Sequence, residues 1–395
     1  MINTSFESIS IIDLSLDFRS SYTAMIFADM GASVLNVQLP RECKSNPSSH
    51  DGLWNRGKKS IVVDYTHPEG LNIINQLVKR SDVFISNFNK NKSRNLKLNY
   101  ELLERLNPKL IYSISPTLSG DSFLDSELND EGLISAYAGI YGDEADTDGT
   151  PFFVNICLAS YSAAWLSAYG IVTALINRQI IGQGQIVEVP WLDAALAIRT
   201  HMLIEGEQIE AGPPKQRTHQ GANPVYRLFR DKNEDWFFLG CGNSIFWNKL
   251  CIALGIESLT ADPKYLNAPW GIDLDDQPYL ISTIQNIFKK KPKDYWIEVL
   301  SQFGIPIGPL MSREEFVNHP QVKYNNVILD IKNDSLGSIR QVTNPILVQG
   351  VSLSKPLPTP KFGEHTSKIL QNLGYSINVI NELAQSGIIQ ICGKN

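Results

Sequence analysis

A chain of 395 residues exceeds the size at which a single hydrophobic core usually suffices, so two domains, or one with a large insertion, are expected. Its composition, 43% hydrophobic and 19% charged, is that of a folded globular protein and excludes extended disorder. The formal net charge of -6 gives no footing to nucleic-acid binding, whose signature is a basic excess or stripe.

The first two hundred residues alternate strand-like and helix-like runs. Ser10–Leu14 reads as a buried strand, Ser20–Met30 as a helix stopped by Gly31, and Ser33–Leu39 as a second strand. Ile61–Asp64 is a third strand. Thr66-x-x-Glu69 has the spacing of a capping box opening a helix to Lys79. Asp82–Ser86 and Leu110–Ser115 are further strands, with a short helix between them capped by Asn99. This rhythm means βαβ units, a parallel sheet and right-handed crossovers, an α/β fold. Residues Asp121–Thr150 break the pattern with nine acidic residues and read as a solvated loop around a small helix. Ser160–Asn177 is a long, mostly apolar helix with Ser160 at its N-cap. Gly182 and Gly184 turn the chain into the strand Gln185–Pro190, and Leu192–Glu205 is helical again.

Beyond a linker-like stretch at 211–224, Trp236–Cys241 is a strand. Phe246–Leu254, Pro278–Lys289 and Lys293–Phe303 are helices of a smaller unit, and Thr366–Leu373 and Asn378–Ser386 are terminal helices.

The five cysteines, Cys43, Cys157, Cys241, Cys251 and Cys392, include no CxxC pair, and the six histidines show no metal spacing. Neither a disulfide framework nor a metal site is expected. Apolar runs are interrupted by Ser, Asn or charge before the ~18 residues a bilayer span needs. Met1–Ser10 lacks the basic start and apolar run of an export signal, so a cytoplasmic protein without a membrane partner is expected. The dinucleotide and Walker glycine loops, HExxH and GxSxG are all absent. Two basic, polar loops flank strands, Trp54–Ser60 and Asn87–Arg94. Such loops suit a phosphorylated ligand, or are simply solvated charge.

Many short strings, taken in order, resemble the family III CoA-transferases, the group of formyl-CoA, carnitine and bile-acid CoA transferases and α-methylacyl-CoA racemases. They include Ile11-Ile12-Asp13-Leu14-Ser15, Ala28-Asp29-Met30-Gly31-Ala32 and Asn55-Arg56-Gly57-Lys58-Lys59-Ser60. Asn107-Pro108-Lys109-Leu110, Gly170-Ile171-Val172-Thr173-Ala174-Leu175, Gly182-Gln183-Gly184-Gln185, Gly304-Ile305-Pro306 and Gly363-Glu364-His365-Thr366 continue the series. The resemblance implies a Rossmann-like large domain from residues 1–210 and 330–395 and a smaller α+β domain over 225–325. Residues 211–224 and 326–345 would be linkers. It also implies an interlocked dimer, either a homodimer or a heterodimer with a related chain. The ligand it implies is coenzyme A or an acyl-CoA, used as substrate and without a metal. Phe18, Leu39, Arg41, Val63, Asn87, Phe88 and Arg94 would contact it, with Arg56, Lys58 and Lys59 as further candidates for its phosphates.

The family's nucleophile is an aspartate, which attacks the acyl thioester. The resemblance places that aspartate at Ser160, and Asn155–Ser162 contains no acid. The histidine of the racemases falls near Asp130, so their acid–base pair is missing too. Three readings follow. The chain is a divergent CoA-transferase, or one using another group such as Asp130, Glu131, Ser160 or Cys157. Alternatively it is a non-catalytic subunit paired with an aspartate-bearing relative. In the third reading the scaffold is repurposed for other chemistry on an acyl-CoA or carrier-protein thioester.

Overall fold

The computed structural model describes residues 6–40, 53–119, 130–143, 150–200, 218, 220–333, 337–349 and 357–392. By internal contacts the chain divides into two units. One comprises Met1–Ala138, Ile156–Ile204 and Gln321–Asn395, the other Gly139–Asn155 and Glu205–Pro320.

The first unit opens with β1 (Ser10–Asp13), α1 (Phe18–Asp29), β2 (Ser33–Gln38), β3 (Lys59–Val63) and α2 (Pro68–Val78). It continues with β4 (Val83–Ser86), α3 (Lys90–Asn95), α4 (Tyr100–Leu106), β5 (Ile111–Ile114) and α5 (Glu131–Tyr137). After α6 (Ile140–Asp143), which belongs to the second unit, come α7 (Leu158–Ile181), β6 (Ile186–Glu188) and α8 (Trp191–Ala197). The sheet order is β13-β3-β2-β1-β4-β5-β6, all parallel except β13 (Ile389–Gln390), which pairs antiparallel with β3.

Successive strand residues point to opposite faces, and each face carries its own core. Ile12, Val37, Ile61, Phe84 and Tyr112 lie in one core with Ile73, Ile74 and Leu103 of α2 and α4. Ile11, Val34, Val83, Ile85 and Ile111 lie in the other, with Phe27 of α1 and Ile171 of α7. A Cβ on Gly170 would come 2.6 Å from Cγ1 of Val187, so α7 reaches β6 only through a glycine, and Gly182 (φ +72°) ends the helix. By length and composition α7 could cross a bilayer, which the interrupted apolar runs had not suggested. More than half of its most apolar stretch is buried inside the protein, the position of a core helix.

Two buried ion pairs lock the segment before β3 to β1 and to the end of α1. Lys58 Nζ lies 2.7 Å from Asp13 Oδ2 and also bonds Ser21 and Asn55. Arg56 grips both carboxylate oxygens of Asp29.

The second unit carries an antiparallel sheet, β10-β9-β8-β7, formed by β7 (Gly221–Asn223), β8 (Tyr226–Arg230), β9 (Trp236–Gly240) and β10 (Ile307–Pro309). Helices α9 (Ser244–Leu254), α10 (Gln277–Phe288), α11 (Lys293–Gln302) and α12 (Arg313–Asn318) accompany it. Its core is aromatic, with Phe229 and Phe237 each 5.0 Å from the Phe288 ring.

The chain then returns to the first unit through α13 (Pro320–Asn325), β11 (Ile328–Asn333) and β12 (Gly337–Val342), and ends with α14 (Thr366–Asn372), α15 (Ile377–Gln385) and β13. The stretch 326–345, expected as a linker, thus holds a hairpin. Arg56 Nη1 ties that hairpin down by donating to Gln341 Oε1 and the Val342 carbonyl. The expected capping box at α2 does not form. Thr66 turns its hydroxyl to Asp64, and His67 Nδ1 takes the Glu69 amide instead.

Candidate active site

The loops at the C-terminal ends of the parallel strands converge around the start of α1. Asp17 caps that helix by accepting from the Ser20 amide. Asn87, just past β4, joins the two loops: its Oδ1 accepts from the Leu16 amide, and its Nδ2 donates to Asp17 Oδ2 at 3.0 Å. Burial raises the Asp17 carboxyl above its usual range, against the pull of Arg19, whose Nε lies 2.8 Å away. The Arg19 guanidinium in turn lies 4.0 Å from the centre of the Trp191 ring.

Of the residues expected to hold coenzyme A, Phe18, Leu39, Asn87 and Arg94 sit on or just after these loops, with Phe18 the first residue of α1 and Arg94 exposed on α3. Arg41 lies outside the described residues. Two further expected contacts are buried. Val63 lies fully buried between β2 and β13, with its side chain in the core. Phe88 is also buried, and offers only a ring covered by the Lys92 ammonium at 4.6 Å. Among the candidates for phosphate binding, Arg56 and Lys58 are consumed by Asp29 and Asp13. Burial lowers the Lys58 pKa, and Asp13 opposes that shift. Lys59 is exposed and donates to Ser33 Oγ.

The site itself is built at the first turn of α7. That helix begins at Leu158 with Cys157 as its N-cap, so Ser160 is its third residue and not a cap. Three donors of this turn converge on one carboxylate supplied by α5. Glu131 Oε1 accepts from the Ala159 amide at 3.0 Å, and Oε2 accepts from the Ser160 amide at 3.0 Å and the Ser160 hydroxyl at 2.6 Å. A helix N-terminus presents unpaired N–H groups and a partial positive charge, and a carboxylate is the group that satisfies both. Ser160 is buried and Glu131 partly exposed.

Asp130, one residue away, does something else. It caps α5 by accepting from the Gly132 and Leu133 amides, which keeps it out of the Ser160 cluster. Burial, reinforced by Glu131, pushes the exposed-side thiol of Cys157 upward, away from thiolate chemistry.

Beside Ser160 lies a feature the sequence reading missed. Tyr161 and Trp165 on α7 face Phe18 and Tyr22 of α1 and Trp54 of the short turn before β3. Ring centroids are separated by 4.3 Å (Phe18–Trp54), 5.0 Å (Phe18–Tyr161), 5.6 Å (Tyr22–Tyr161) and 6.1 Å (Tyr22–Trp165). All five rings are partly exposed. The i, i+4 spacing of Tyr161 and Trp165 was the one signal available in advance.

A profile described as CoA-transferase family III matches residues 6–366. The human α-methylacyl-CoA racemase is 27% identical over 389 residues, covering 97% of each chain. The succinate–glutarate CoA-transferase of Agrobacterium fabrum is 28% identical over 385 residues, covering 92% of this chain and 94% of its own. A solved CaiB/BaiF family protein from Brucella suis superposes with a TM-score of 0.80 over 94% of this chain and all of its own. At 23% identity this is a likeness of fold.

Proposed function

The chain belongs to CoA-transferase family III, and from that premise we propose that it binds an acyl-CoA and passes the CoA between carboxylic acids through Glu131. One observation carries this reading. At the turn where the family resemblance puts a reactive aspartate, the fold brings in the Glu131 carboxylate, with Oε2 2.6 Å from Ser160 Oγ. On this reading Glu131 of α5 stands in for the acid that Asn155–Ser162 lacks.

The chemistry balances on that group. A Glu131 oxygen attacks the thioester carbon, the C–S bond breaks, and CoA leaves as thiolate, giving a mixed anhydride. The thiolate then attacks the Glu131 carbonyl and expels the donor acid as carboxylate, leaving a glutamyl-CoA thioester. An acceptor carboxylate repeats the two steps in reverse and regenerates Glu131. Ser160 must swing its hydroxyl off Oε2 to free a lone pair, and can then donate to the oxyanion that develops. CoA would lie along the loops around Asn87 and Arg94, with Phe18 at its acyl end. A dimer of this chain belongs to the same reading. It is supported by an exposed apolar stripe on α7 formed by Leu166, Tyr169, Ile176 and Ile180.

The same 2.6 Å contact supports a second reading, in which Glu131 is the base and Ser160 carries the acyl group as an ester. Exchange separates the two. Incubation with phenylacetyl-CoA or succinyl-CoA and the matching isotopically labelled free acid is expected to put label into the acyl-CoA. Hydrolysis without exchange would favour the serine ester. CoA binding with neither activity would contradict both.

A further inference from the structure

We infer that the five-ring surface beside Ser160 is the acyl subsite, and that it selects acyl groups with an aromatic or bulky apolar body over those ending in a second carboxylate. This rests on the reading of Glu131 and Ser160 as the point where the thioester carbon sits. Tyr161 lies within electrostatic reach of Glu131, and its ring packs on Phe18 and Tyr22, with Trp54 against Phe18, so the ring surface begins next to that point.

The rings present uncovered edges and faces to an apolar guest. Tyr161 stands edge-on to Phe18 and to Tyr22, at 87° and 84°, and Trp165 stands at 86° to Tyr22. Each ring keeps part of its surface uncovered. An aromatic body can join such a cluster by the same edge-to-face geometry.

Charge argues against a dicarboxylic acyl group. Ring faces are electronegative, and Glu131, within electrostatic reach of Tyr161, adds to that field. The neighbouring cations among the described residues are already engaged. Arg56 is held by Asp29, Lys58 by Asp13, and Arg19 by Asp17 beneath Trp191. A terminal carboxylate laid on this surface would be desolvated opposite π-faces with none of these cations released to meet it.

The test is equilibrium binding of free CoA, phenylacetyl-CoA and succinyl-CoA to the full-length protein and to Tyr161→Leu, Tyr161→Phe and Trp54→Ala. Phenylacetyl-CoA is expected to bind about tenfold or more tighter than succinyl-CoA. Tyr161→Leu and Trp54→Ala should each weaken phenylacetyl-CoA by roughly threefold to tenfold and leave free CoA unchanged, while Tyr161→Phe keeps the preference. Succinyl-CoA binding as tightly as phenylacetyl-CoA to the wild-type protein overturns the inference without any variant having to fold. So does an equal loss of free CoA in Trp54→Ala, which would assign the rings to the nucleotide end. Either result leaves the transferase reading standing. Failure of all three ligands to bind overturns both.

Discussion

Replacing Glu131 by Gln preserves the shape of the side chain and removes its charge. In the wild type the carboxylate receives the Ala159 amide on one oxygen and the Ser160 amide and hydroxyl on the other. A glutamine can keep its oxygen on the Ser160 pair, but its NH2 then confronts the Ala159 N–H, donor against donor. The loss is one charge-assisted hydrogen bond, about 1.5–3 kcal/mol. The favourable interaction of an anion with the start of α7 is lost as well, about 0.3–1 kcal/mol. Together Glu131→Gln should destabilise the first unit by roughly 2–4 kcal/mol, read by urea unfolding followed through tryptophan fluorescence. CoA exchange should fall by at least about a thousandfold, because an amide is neither a nucleophile nor a leaving group here. A variant with wild-type exchange would refute the chemical role. One with an unshifted unfolding curve would refute the account of how α7 is capped.

Other outcomes follow from the same structure. Ser160→Asp would set a second acid against Glu131. One of the two should take up a proton, so the variant should be less stable at neutral pH than at about pH 5 and gain no exchange activity. Asp13→Ala should cost about 3–5 kcal/mol by stranding the fully buried Lys58 ammonium, whereas Asp13→Leu combined with Lys58→Met should recover much of that loss in the same unfolding assay. Burial holds the His365 imidazole below its ordinary value, and its Nδ1 accepts the Ser60 amide at 3.2 Å. A histidine kept neutral by the fold stabilises it above the unfolded pKa of about 6.5 and loses that contribution as pH falls through the lower folded value. Unfolding midpoints should therefore drop between about pH 7.5 and 5, and the drop should be smaller in His365→Gln.

The parallel strands were readable because buried strands between helix signals leave an unmistakable rhythm, and β1, β2, β4 and β5 fall within a residue or so of the expected ends. Gly182 and Gly255 adopt left-handed backbone at the ends of α7 and α9, and α7 runs on past the expected end at Asn177 until Gly182 stops it. The capping box before α2 failed because Asp64 competes for Thr66, a choice that the four residues Thr66–Glu69 cannot display. The hairpin of β11 and β12 was taken for a linker although Ile331 and Ile339 face each other across it. Arg56 was offered to a phosphate because nothing in Asn55–Ser60 reveals Asp29 or the hairpin. The decisive contact of the site was invisible for the same reason. Glu131 and Ser160 are 29 residues apart, and only tertiary packing brings α5 to the first turn of α7.

The central claim is that the reactive carboxylate belongs to Glu131. Wild-type protein turned over with phenylacetyl-CoA in the presence of hydroxylamine, then digested and mapped by mass spectrometry, tests it most directly. The account predicts a hydroxamate on the peptide bearing Glu131 and its disappearance in Glu131→Gln. A stable acyl ester on Ser160, or an adduct on some other acid, would contradict it.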